Sequence, residues 1–226
     1  MQHIVPMKRT LIFPVMFLLL IQTSTAGVVE ERATDKLWPP PAAGSVHMEA
    51  LLEKTLFQVD VINLDLWLGP ASADQVRRLC AATDQAAVSP DSLAAVVARS
   101  RDARVRMVLQ RDVGLDRFLD GIIEDLRRAN EAGLLGAEGF EAVSTGLPAW
   151  LHPLRADGLW EGDRFLYCIT GDTLRTVVER RDGRVVINQT DVGPEHRRGL
   201  LGSLVAPGGG FADELLDQIP RRVCSA

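Results

Sequence analysis

Aromatic side chains make up only 5% of the 226 residues, and tyrosine occurs once, at Tyr167. So sparse a supply offers no platform on which bases could stack. Basic residues are outnumbered, 25 Lys and Arg against 30 Asp and Glu, for a formal charge of −5. A nucleic-acid binder would instead carry a basic face. Cysteine occurs three times, an odd count that does not make a disulfide framework. His3, His47, His152 and His196 stand far apart, with no Cys or second His at ligand spacing, so no metal site is expected. Gly208, Gly209 and Gly210 lack the following Lys of a phosphate loop, and Gly202-Ser203 lacks the second glycine of a nucleophile elbow. Neither a metal nor a cofactor is expected.

What is present is ordinary for a globular chain: 46% hydrophobic and 24% charged residues. Its length allows a full core without disulfide staples. An uninterrupted uncharged run, Leu11 to Ile21, follows Lys8 and Arg9 and precedes Ser24-Thr25-Ala26. A short basic region, an apolar core of this length and small residues make a secretory signal, with the cut after Ala26. The core is too short for a mature membrane anchor. Its removal would take away Lys8 and Arg9 and no acids, leaving a charge of −7. A periplasmic or secreted location follows, and with it an oxidising compartment. A Cys80–Cys168 bridge is conceivable there; buried free thiols are the commoner state of two such apolar sites.

Residues 27–46 carry Pro39-Pro40-Pro41 and no apolar period, and read as an extended arm. Residues 47–222 form the domain. Residues 51–68 read as one long strand, apolar on both faces and so central in a sheet. Gly69-Pro70 ends it, and Ser72 caps a helix presenting Val76, Leu79 and Cys80. Ser89-Pro90-Asp91 opens another helix. Val105, Met107 and Leu109 alternate with Arg104, Arg106 and Gln110, as in a half-buried strand. Leu115, Phe118, Leu119, Ile122, Ile123 and Leu126 give the clearest amphipathic helix, ending at Gly133. A helix over about 137–145 is interrupted by Gly146-Leu147-Pro148. A strand over 163–170 precedes a hairpin, 173–180 and 184–190, turning at Asp182-Gly183. Helices over Pro194–Leu204 and Phe211–Ile219 close the chain around Pro207 to Gly210. The order describes one α+β domain, a sheet covered by helices.

Three groups of motifs, in this order and spacing, resemble the chalcone isomerase-like family, in its exported bacterial form. They are Phe57-Gln58-Val59-Asp60-Val61 through Leu68, then Arg111-Asp112-Val113 with Phe118 and Gly121, then Glu161-Gly162-Asp163 before the strand, hairpin and closing helices. The resemblance covers about residues 45–220. It implies an open-faced sandwich, a mainly antiparallel sheet under a layer of helices, with an apolar cleft between them. Plant enzymes of that family cyclise chalcones without a cofactor, whereas other members bind fatty acids and lack the activity.

The cyclisation needs a cation that favours a phenoxide and a donor for the developing enolate. The family's enzymes use an Arg near the first strand, a Thr on the central strand, a Tyr and an Asn on the following helix, and a late Thr. Here Lys54 is the cation near the first strand and lacks the guanidinium fork. Asp60 stands for the strand Thr, Phe118 for the Tyr, Asp125 for the Asn and Ser203 for the late Thr. These departures imply a non-catalytic protein that binds a small apolar or fatty-acid-like ligand through Lys54, Asp60, Arg111, Phe118, Tyr167 and Ser203. The alternative is an isomerase or lyase of enone-like substrates with Asp60 and Ser203 as its catalytic groups. Each residue also has a plainer role: an Arg111–Asp112 ion pair, core packing for Phe118 and Tyr167, a solvated charge for Lys54. No nucleic-acid partner and no membrane anchor after signal cleavage are expected.

Overall fold

In the computed structural model, which describes residues 37–53, 60–82 and 88–224, alternating apolar residues build one six-stranded sheet. The strands are β1 (Val46–Glu53), β2 (Asp60–Leu68), β3 (Asp102–Leu109), β4 (Arg164–Thr170), β5 (Thr173–Glu179) and β6 (Val185–Val192). They lie side by side in chain order, and every neighbouring pair is antiparallel. The helices are α1 (Pro70–Ala82), α2 (Pro90–Ala98), α3 (Leu115–Glu131), α4 (Ala137–Trp150), α5 (Pro194–Val205) and α6 (Ala212–Val223).

The period-two pattern divides the sheet into two chemistries. The inner face carries cross-strand rows such as Leu64–Met107–Phe165–Val178–Ile187, which are buried beneath the helices. The outer face carries Asn63, Asp65, Trp67, Arg104 and Arg106. Asp65 accepts hydrogen bonds from Arg106 Nε (2.8 Å) and His47 Nε2 (2.8 Å), and Trp67 stacks on His47 (4.5 Å). Trp38 and Pro39 rest on this face: Trp38 packs edge-on against Trp67, and Pro39 accepts from Arg104 through its carbonyl.

Helix α5 is the hub of the helical layer, packed against α2, α3, α4, α6 and β5. Its glycines permit this. A Cβ on Gly199 would lie 3.3 Å from Leu126, and one on Gly202 would lie 3.3 Å from Ala129. Helix α6 closes the free edge of β1. Glu214 accepts from the Leu51 amide, and Gln218 both accepts from the Glu49 amide and donates to its carbonyl.

Several sequence expectations need correction. Residues 51–68 are not one strand but parts of two, β1 and β2, paired so that Leu52 faces Ile62. The segment 54–59 contains no Gly or Pro to announce the reversal. Nor is β2 covered on both sides, since its outer face is polar. Ser72 does not cap α1. It lies inside the helix, buried, with its hydroxyl donating to Ser100 Oγ (2.8 Å). Helix α4 continues through Gly146-Leu147-Pro148 to Trp150, and a Cβ at Gly146 would meet the Trp150 ring at 2.7 Å. The glycine there makes room for an indole rather than ending a helix. Cys80 is bonded to Cys224, not to Cys168 (Cα–Cα 6.1 Å), and Cys168 is free on the outer face. The hairpin turns where expected, with Gly183 at φ +88°.

The loop before β4 is fixed by buried charge. Asp163 and Arg180 are 1% and 5% exposed and joined at 2.6 Å. Asp163 also accepts from the amides of Trp160 and Arg181, and Arg180 donates to the Gly158 carbonyl (2.7 Å). The Glu161-Gly162-Asp163 motif is thereby a structural clamp between this loop and the β5–β6 hairpin.

Candidate functional site

The inner face of the sheet and helices α3, α4 and α5 do not close completely on one another. They leave a cavity of about 280 Å³. Its size falls near the lower end of the ~300–1,000 Å³ range typical of small-ligand sites.

Helical and strand periodicities explain which side chains reach it. From α3 come Arg117, Phe118, Gly121, Ile122, Asp125 and Leu126, one stripe of a 3.6-residue repeat. From α5 come His196, Gly199, Leu200, Ser203 and Leu204, the same stripe on the facing helix. Val143, Leu147 and Trp150 line it from α4, and Met107, Tyr167, Thr176 and Ile187 from the floor of the sheet. The walls are mostly hydrocarbon and aromatic. Phe118, 7% exposed, packs on Phe165 with ring centres 5.0 Å apart.

The mouth is charged. Arg111, which follows β3, and Arg117, on the first turns of α3, are exposed and line the opening together with Asp112 and Asp125. The two acids are engaged. Asp112 accepts from the Glu161 amide (2.8 Å) and Asp125 pairs with Arg128 (3.4 Å). The anticipated Arg111–Asp112 ion pair does not form. Among the described residues neither Arg111 nor Arg117 has a hydrogen-bond or ion-pair partner, so two guanidinium groups are left to face whatever enters.

Of the six expected ligand residues, Arg111, Phe118, Tyr167 and Ser203 all line this one cavity. Lys54 lies outside the described residues. Asp60 opens β2, and its side chain likewise lies outside what is described. Ser203 is present at the wall, but its hydroxyl donates to the Leu200 carbonyl one turn back (2.8 Å) and is not available as an enolate donor. Tyr167 projects from β4, and its hydroxyl has no partner among the described residues. Burial pushes the phenol well above its ordinary pKa of 10.0, so it stays a neutral donor.

Sequence reasoning passed over His196, Trp150, Thr176 and Arg117. His196 lies seven residues before Ser203, two turns along the same helical face, and that spacing was the available signal. Its side chain is 17% exposed, its ring lies 5.5 Å from Trp150, and its Nδ1 is buried without a hydrogen-bond partner. His47, Glu49 and Asp65 could in principle surround a cation. However, Arg106 already occupies the Asp65 carboxylate and its charge opposes a metal there.

No protein-family model matches the sequence, and no curated protein matches it either. Among solved structures, a fatty-acid binding protein of Arabidopsis thaliana, AtFAP1, superposes with a TM-score of 0.52. The match covers 80% of this chain and 88% of that one at 10% sequence identity. At that identity the likeness is one of fold: six antiparallel strands under six helices, the chalcone isomerase-like open-faced sandwich anticipated from the motifs.

Proposed function

We propose that this chain is an exported, non-catalytic binding protein that takes a fatty-acid-like molecule into the cavity between sheet and helices. The observation that carries the reading is the pairing of an apolar cavity with two unpartnered guanidinium groups, Arg111 and Arg117, at its mouth. An acyl chain would bury against Phe118, Met107 and Leu147, each buried methylene contributing about 0.8 kcal/mol. Its carboxylate would meet the two arginines, whose planar donors suit a carboxylate better than a point charge does. The fold shared with AtFAP1, which binds fatty acid, agrees with this reading. The absence of a hydroxyl at Phe118 and the internal hydrogen bond of Ser203 weigh against cyclisation of an enone. Export rests on residues 8–26, and the Cys80–Cys224 bridge suits an oxidising compartment.

The test is calorimetric titration of purified, delipidated protein with dodecanoic and hexadecanoic acids. Saturable binding is expected, and the Arg111→Ala/Arg117→Ala variant should bind at least tenfold more weakly, about 1.4 kcal/mol. No binding of either acid would remove the proposal.

The unpartnered Tyr167 hydroxyl keeps one other reading in view, a cofactor-independent isomerase or lyase in which this phenol serves as the enolate donor. Turnover of a chalcone that vanishes in Tyr167→Phe would establish it; no turnover across a panel of enones would end it.

A further inference from the structure

The inner face of the sheet changes character along its strands. The row Leu64–Met107–Phe165–Val178–Ile187 is hydrocarbon throughout. The next row begins Leu66–Val105 and then turns polar, continuing as Tyr167–Thr176–Gln189. These three residues stand directly opposite one another on β4, β5 and β6, close enough for their side chains to act on one group. His196 lines the same cavity from α5, which packs over β5.

The hydrogen bonds of this corner are incomplete. Gln189 donates to Asp191 (2.7 Å), so that pair serves itself. The hydroxyls of Tyr167 and Thr176 have no partner among the described residues, and neither does the buried Nδ1 of His196. A buried polar atom without a partner, such as this ring nitrogen, is uncommon and costly to keep. Together with the two unpartnered hydroxyls that line the cavity, it defines a place for a guest that can both accept and donate.

This corner is remote from the charged mouth. Arg111 follows the end of β3, whereas Tyr167 pairs with Val105, four residues back from Leu109 on that strand. Four residues of extended chain span about 13 Å. A ligand anchored by its head at Arg111 would reach the polar row only with its far end.

We propose that the cavity recognises a second oxygen on its ligand, a hydroxyl or keto group toward the methyl end of the acyl chain, held by Tyr167, Thr176 and His196. The ligand class is then an oxygenated fatty acid rather than a plain one. This rests on the reading of the mouth as a carboxylate site.

The experiment compares three probes on delipidated wild-type protein by calorimetry: dodecanoic acid, its terminally hydroxylated analogue, and the analogue hydroxylated beside the carboxylate. The terminally hydroxylated acid should bind about tenfold more tightly than the parent, a fold-change that one or two net hydrogen bonds supply. The hydroxyl beside the carboxylate should bring no gain. Tyr167→Phe/Thr176→Val should abolish the tenfold preference for the terminally hydroxylated acid over dodecanoic acid, and a preference that survives in it would overturn the assignment. Should the double variant fail to fold, the three-probe comparison on wild type still decides. If dodecanoic acid binds and the terminal hydroxyl brings no gain or a loss, this proposal is overturned and the carboxylate reading survives. If none of the three binds, both fall.

Discussion

Reduction of the Cys80–Cys224 bridge should lower stability far more than any surface change. The two cysteines are 144 residues apart in sequence. In the chain-entropy model a closed loop of that length removes about 17 cal/mol/K from the unfolded ensemble, or about 5 kcal/mol at 25 °C. The bridge joins the last turns of α1 and the end of α6, two helices already in contact, so the native fold should persist without it. Urea unfolding followed by circular dichroism, with and without a thiol reductant, gives the difference directly. For a domain of this size each kcal/mol displaces the thermal midpoint by about 2–4 °C, so a fall of about 10–20 °C is expected. Cys80→Ala/Cys224→Ala should reproduce it, and Cys168→Ala, which removes only a free thiol, should not. A change below about 1 kcal/mol in the reduced protein would refute the loop-closure argument. Equal loss in Cys168→Ala would refute the pairing itself.

Other expectations follow from buried groups. Because Tyr167 is the chain's one tyrosine, tyrosinate absorbance reports it alone. Its raised pKa in the folded state means that its contribution to stability is complete below the unfolded value of about 10 and is lost as pH rises from there toward the folded value. Tyrosinate should therefore appear together with unfolding, and a free titration at ordinary alkaline pH in the folded protein would contradict the burial. Asp163→Asn should destabilise by about 3–5 kcal/mol, measured in urea, because it leaves the buried Arg180 charge only the exposed Asp157 carboxylate at 3.6 Å; a loss under about 1 kcal/mol would show that Asp163 is not the partner that holds that charge. Phe118→Ala should cost about 3–5 kcal/mol and shift acyl-chain preference toward longer ligands, whereas an unchanged chain-length profile would take Phe118 out of the ligand's path.

Much of this fold was legible because its elements obey a single period. The stripe Leu115, Phe118, Ile122 and Leu126 could only be a helix laid on a core, and Asp182-Gly183 could only be a tight turn. What stayed hidden was decided by partners distant in the chain. The reversal between β1 and β2 has no turn residue. The apolar alternation of one strand runs into that of the next, so two strands look like one. Gly146-Leu147-Pro148 reads as a break until Trp150 is seen to need the missing Cβ. Cys224 looked like tail because its partner is 144 positions away. In the cavity, motif resemblance led to Arg111, Phe118, Tyr167 and Ser203. His196 and Thr176 were missed because each alone is an ordinary residue of a helix or strand. Only the cross-strand register and the seven-residue step on α5 bring them together.

The outermost strand, β1, has its backbone answered by side chains rather than by another backbone. Glu214 and Gln218 of α6 stand where a seventh strand would dock, and they occupy the amides of Leu51 and Glu49. An unpaired edge is a template for joining with a second chain, and natural proteins obstruct such edges. Two polar residues on a helix therefore stand in the way of edge-to-edge pairing along this part of β1. The same contacts that fasten α6 to the sheet also cap the strand that a second copy would otherwise extend.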